Sequence, residues 1–214
     1  MSPAAPVGRI IETEACVAEG AAWLAARDPV LARALEICGP LPLRRHADGF
    51  GALMQAIIGQ QVSTASAKAL SARMQAAGLT GPEAIAAAPD EALRAAGMSR
   101  QKTRYLRALA EARLDYAALR RAPDAEVVAV LTALPGIGNW TAEIYAMFAL
   151  GRADVFAPGD LALQEAARIL YRLDGRPTPR ALAGMARAWS PWRGVAARLL
   201  WAYYREIKGR EGVA

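Results

Sequence analysis

One histidine, His46, serves the whole chain of 214 residues, and there are only two cysteines, Cys16 and Cys38. A lone imidazole can build neither a His-based zinc site nor a Ser–His nucleophilic triad. The two thiols lack metal-ligand spacing, and an iron–sulfur cluster normally takes four thiolates, so no cluster is expected. They read instead as small buried apolar residues of a reducing compartment. Lysine is scarce too: Lys68, Lys102 and Lys208 are the only three among 26 basic residues. β-Branched residues are sparse outside short runs, and no β-hairpin signal, low-complexity tract or short-period repeat appears. The opening MSPAAPVGR lacks the apolar core of a signal peptide. No stretch reaches membrane-spanning length without charge. These absences predict a soluble cytoplasmic protein with no membrane partner.

What the chain has is alanine and leucine, which make helix the default. The fold class expected is all-α. A loose tail covers 1–10, and helices are predicted over 12–27, 29–38, 50–58 and from Ser63 to Ala77. Two short helices lie between 79 and 98. Ser99 caps a helix whose Tyr105, Leu106, Leu109 and Ala110 form one apolar stripe. Helix 50–58 is apolar almost all round (Phe50, Leu53, Met54, Ile57, Ile58), which implies burial. Three further helices begin near Gly159-Asp160, at Thr178-Pro179 and at Ser190-Pro191, the last two with a capping hydroxyl followed by proline. The net charge of +6 and pI of about 9.7 suit a polyanionic partner. An arginine-rich composition would produce the same excess.

Between AEVVAVLTAL and NWTAEIYAMFAL sits LPGIG (134–138), too short for anything but a tight turn between two helices. Gly136 and Gly138 leave the main chain open to close approach. The next helix begins at Asn139, so its unpaired N–H groups and positive dipole end point where an anion would sit. Leu134, Pro135, Gly136, Ile137, Gly138 and Asn139 are therefore candidates for a sequence-independent phosphate grip. A plain helix–turn–helix corner is the other reading of the same residues.

The stretch LPGIGNWTAEIYAMFALGRADVFAPGDLALQ (134–164) resembles the signature of the helix-hairpin-helix DNA glycosylase superfamily, and within it the DNA-3-methyladenine glycosylase II family. Two more stretches resemble that family in the same order: AIIGQQVSTASA (56–67) and SPWRGVAARLLWAYY (190–204). The likeness spans roughly 48–205. It implies two helical lobes, one over 49–149 carrying the hairpin (124–150) and one combining 11–48 with 150–214, with a cleft between them that contains Asp160.

The resemblance makes Asp160, after the loop GRADVFAPGD, the catalytic carboxylate. Cleaving the bond between sugar and base builds positive charge on the deoxyribose, as an oxocarbenium-like transition state. A fixed carboxylate at ~4 Å and an effective dielectric near 20 is worth roughly 4 kcal/mol. Realised only in the transition state, that is about a thousandfold in rate. A plain helix cap is the simpler reading of Asp160, and the two roles are compatible. Asp154, six residues earlier, reads as a residue that ties down the loop.

The resemblance also places Trp140 and Trp201 at the base pocket and Gln61 at the wedge that fills the duplex when a base is flipped out. Gln60 beside it is a candidate to hydrogen-bond that pocket or the turn backbone, and exposed loop amides are the simpler reading of both glutamines. A cationic alkylpurine against an aromatic wall gains ~1–2 kcal/mol when desolvated. Tyr145, Phe148, Trp189 and Trp192 read as packing residues. Lyase members carry a lysine two residues after the last hairpin glycine; here that place is Trp140, which cannot act as that amine nucleophile. The activity implied is hydrolysis of alkylated purines (3-methyladenine, 7-methylguanine) from double-stranded DNA by a monomer, without lyase activity. No cofactor is implied, although a monovalent cation on the hairpin carbonyls is compatible. Two other readings stay open: a glycosylase for deaminated or mismatched bases, and a non-catalytic helix-hairpin-helix DNA-binding protein.

Overall fold

The computed structural model describes residues 7–211, which form thirteen α-helices and no strand. They divide into two compact units. One holds the chain up to Arg45 and from Ala146 onward; the other is His46–Tyr145. The boundaries expected at 48/49 and 149/150 thus fall three or four residues earlier.

The unit of the chain ends contains α1 (Glu14–Ala25), α2 (Pro29–Cys38), α11 (Leu161–Leu170), α12 (Pro179–Met185) and the long α13 (Arg193–Glu211). α13 packs against α1, α2 and α11. Leu24, Leu31, Leu163, Ala166, Val195 and Leu200 are buried there, together with Trp189 and Trp192. Each fully buried large apolar side chain contributes ~1.5–3 kcal/mol. Caps set several starts: Asp28 accepts from the N–H groups of Val30 and Leu31 ahead of Pro29, and Thr178 accepts from Ala181.

The central unit runs α3 (Phe50–Gly59), α4 (Thr64–Ala76), α5 (Pro82–Ala87), α6 (Asp90–Ala95), α7 (Arg100–Glu111), α8 (Tyr116–Arg121), α9 (Asp124–Thr132) and α10 (Asn139–Ile144). All five apolar residues of α3 are buried, and α7 packs against α3 and α5 through Leu106, Leu109 and Ala110. Ser63 and Ser99 cap α4 and α7.

Several expectations need correction. Of the tail 1–10, residues 1–6 lie outside the described residues. Residues 9–11 are pinned: Ile11 N–H donates to Gly151 O at 2.7 Å, Ala153 N–H donates to Arg9 O at 3.0 Å, and Ile11 is fully buried. Ser190 does not cap a helix. The Ser190–Pro191 bond is cis, the Ser190 hydroxyl donates to Asp154, and α13 starts three residues later at Arg193. The second hairpin helix does not stay α-helical, because Tyr145–Ala149 widen into a π-helical turn. α8, capped by Asp115, was not anticipated. Both cysteines are half-buried rather than buried. Cys16 sits in the first turn of α1, where the Thr13 hydroxyl and nearby backbone draw its thiol down to about 7.

Candidate functional site

The loop 151–160 is held from three sides within its own unit. Asp154 receives Nε and Nη2 of Arg193 at 2.8 and 2.9 Å and the Ser190 hydroxyl at 2.7 Å. Its role is therefore structural, with side-chain partners from the start of α13. Gly194 donates its N–H to Ala153 O at 2.7 Å, and a Cβ on it would sit 3.0–3.3 Å from the carbonyl oxygens of Ala153, Arg152 and Val155. The buried Gln164 donates to Pro158 O at 2.8 Å.

This scaffold delivers Asp160 to the N-cap of α11. Its Oδ1 accepts from the N–H groups of Ala162 (2.9 Å) and Leu163 (3.0 Å) and from the indole Nε1–H of Trp201 (3.2 Å). Three donors on one oxygen fix the carboxylate, which stays partly exposed. Trp201 is fixed in turn: its ring lies 5.7 Å from that of Phe148, and the Arg198 guanidinium stands 4.7 Å from the Phe148 ring on the way to the core. Arg198 is 1% exposed and donates to Leu43 O and Gly194 O. Burial, reinforced by Arg44 and Arg45, lowers its proton affinity. Sequence reasoning missed this stack. An arginine inside RGVAARLLW carries no signal that distinguishes it from a solvated one.

In the central unit the hairpin is built on close contact. Gly136 has φ +88°, and a Cβ there would lie 2.3 Å from ring carbons of Tyr105 on α7. Gln60 bonds turn backbone: its Nε2 donates to Gly136 O in the hairpin at 2.7 Å. Lys102 was also missed. Its ammonium donates to Ile58 O at 2.6 Å at the end of α3, and burial lowers its pKa. The entry to the α3–α4 turn is thus held at Ile58 and Gln60, and Gln61, the next residue, takes a left-handed φ of +57° and is exposed. Gln60, Gln61, Gln101, Lys102, Tyr105 and the hairpin line a cavity of about 470 Å³.

Ile137 is buried as the hairpin's anchor, while Gly138, Asn139 and Trp140 are exposed. Gly138 brings no side-chain cap to α10. Trp140 is 49% exposed, unusual for an indole. Within the hairpin, Leu134 O accepts from Ile137 N–H at 3.1 Å and Gly136 O accepts from Gln60, one bond on each two-lone-pair oxygen. One turn beyond Trp140, Glu143 is a half-buried carboxyl that burial pushes up to about 7.

The central unit thus carries a short glycine hairpin between α9 and α10, and the unit of the chain ends carries a clamped carboxylate beside an indole. The chain belongs to the HhH-GPD superfamily of base excision DNA repair proteins, whose pattern it matches over residues 54–193. It is 34% identical to DNA-3-methyladenine glycosylase 2 of Escherichia coli over 170 residues, 72% of this chain and 57% of that protein. Among solved structures, the DNA-3-methyladenine glycosidase of Bacillus halodurans superposes with a TM-score of 0.79 at 35% identity, covering 92% of each chain. The Schizosaccharomyces pombe 3-methyladenine DNA glycosylase in complex with abasic DNA gives 0.74 at 28%, over 86% of this chain and 95% of that one.

Proposed function

We propose that this protein is a monofunctional DNA glycosylase that hydrolyses the N-glycosidic bond of alkylated purines in duplex DNA, leaving an abasic site. The observation that carries this reading is the Asp160 carboxylate, fixed by three N–H donors beside Trp201. A carboxylate so held needs no reorganisation as the sugar becomes cationic, and reorganisation is the main cost of electrostatic stabilisation. Trp140 and Trp201 supply aromatic faces for an N-alkylated base, which carries positive charge and leaves readily. The hairpin 134–139 holds a phosphate by backbone N–H groups, and Gln61, presented on its left-handed turn, fills the gap left by the flipped base. Trp140 at the place of the lyase lysine leaves no amine there for backbone nicking. The relatives bearing DNA-3-methyladenine glycosylase names support the choice of alkylated purine over deaminated or mismatched bases.

The test is release of free base from methylated duplex DNA, products separated chromatographically, by wild type and Asp160→Asn. Asparagine caps a helix as well as aspartate does, so the fold is expected to survive. Wild type is expected to free methylpurines without nicking, and the variant to bind DNA but free none. A wild type that binds this DNA and frees no base would overturn the alkylpurine reading, and release from duplexes with deaminated or mismatched bases would then separate another glycosylase from a binding protein.

A further inference from the structure

Glu143 has no part in the chemistry above and no structural employment. It makes no hydrogen bond or ion pair among the described residues. A carboxyl held partly out of water without a partner weakens the fold when ionised, and such groups concentrate at functional sites. Its place is specific. Glu143 follows Trp140 by three residues on α10, so the two side chains are neighbours on one flank of the hairpin helix. Trp140 offers about half its surface, and Glu143 keeps partial exposure beside it.

From this juxtaposition we infer that Glu143 is a specificity-determining residue, its carboxylate reading the positive charge of an N-alkylated purine that lies against Trp140. The inference rests on the alkylpurine reading above and deepens it. An indole face attracts a cation, yet it also stacks a neutral purine well. A carboxylate at the edge of that face separates the two, since its attraction acts on the charged base alone. In a partly dewatered setting the attraction is stronger than between solvated partners. The burial that pushes the carboxyl up to about 7 marks the same setting, and a bound cation favours its ionised form.

The experiment compares wild type with Glu143→Gln, which keeps shape and removes charge, at pH 8. Single-turnover release is followed for 3-methyladenine from methylated duplex and for hypoxanthine, a neutral base, from a matched duplex. In parallel, tryptophan emission is titrated with 7-methyladenosine, a fixed cation, and with adenosine, its neutral parent. The variant is expected to lose ~10-fold or more in 3-methyladenine release, as suits one partly desolvated charge contact. It should stay within about twofold on hypoxanthine, and lose the wild-type preference for 7-methyladenosine. Equal losses on both bases, or a retained preference for the cation, would overturn the role. Should wild type free neither base, the glycosylase reading fails. The nucleoside titration still decides the charge-reading role, because it requires no cleavage.

Discussion

Trp201 and Asp160 lie 41 residues apart in sequence and share one hydrogen bond, indole Nε1–H to carboxylate Oδ1 at 3.2 Å. The indole and the carboxylate are thereby one mechanical unit. Moving the indole moves the acceptor that also caps α11.

Replacing Trp201 by Phe keeps a ring against Phe148 and deletes the donor. One hydrogen bond to a charged group is worth ~1.5–3 kcal/mol at most in fixing its partner. Base release in single turnover is expected to fall about 10-fold or more, with the melting temperature lowered by only a few degrees. An unchanged rate would show that the two backbone donors suffice to hold Asp160.

At the hairpin, Gly136→Ala meets two obstacles: φ +88° and a Tyr105 ring 2.3 Å from the new methyl. Stability is expected to fall by ~1–3 kcal/mol in urea denaturation. Affinity for undamaged duplex should fall with it, and binding should depend less steeply on salt. Adding Tyr105→Ala removes the two ring contacts and leaves the φ penalty and the Cβ of residue 105 at 2.9 Å, so the double variant should recover part of the loss. No loss in the single variant would mean the turn has room that its geometry denies.

Glu143 gives a stability signature independent of activity. Its carboxyl is raised from 4.5 to about 7 in the folded protein, chiefly by burial. Between those values the unfolded chain gives up the proton while the folded chain holds it, so unfolding becomes more favourable as pH rises. Relative to Glu143→Gln, wild type is expected to lose stability from pH 4.5 to 7 and to level off above. Parallel melts across pH 4–9 measure this, and a constant difference between the two proteins would contradict it.

Much of the fold was legible because local chemistry decides it. Asp28-Pro29, Ser99 and Thr178-Pro179 each state a helix start in two adjacent residues. The five apolar residues of α3 announce burial with no tertiary knowledge. Ser190-Pro191 carries the same local signature and fails, because Asp154, 36 residues away, takes the hydroxyl. Arg198, Lys102 and Glu143 were illegible for the same reason. Leu43 O, Ile58 O and the surroundings of α10 define their roles, and those partners meet them only in the folded chain. For Gln60 two partners stayed open, the pocket or a turn backbone, and the folded chain supplies a backbone partner at Gly136 O. An amide's neighbours cannot be read from its own segment.

The Gln60 bridge and the Tyr105 ring leave the hairpin almost nothing to rearrange when a polyanion arrives. Ordering entropy that other loops lose at that moment is already spent in folding. If the hairpin is the phosphate grip proposed above, capture is expected to be limited by diffusion and electrostatic steering rather than by loop closure. Such a grip would form quickly, ignore base identity and let go at modest salt, which favours brief stops at many positions, coverage over residence. That suits a scarce target hidden in a long polymer.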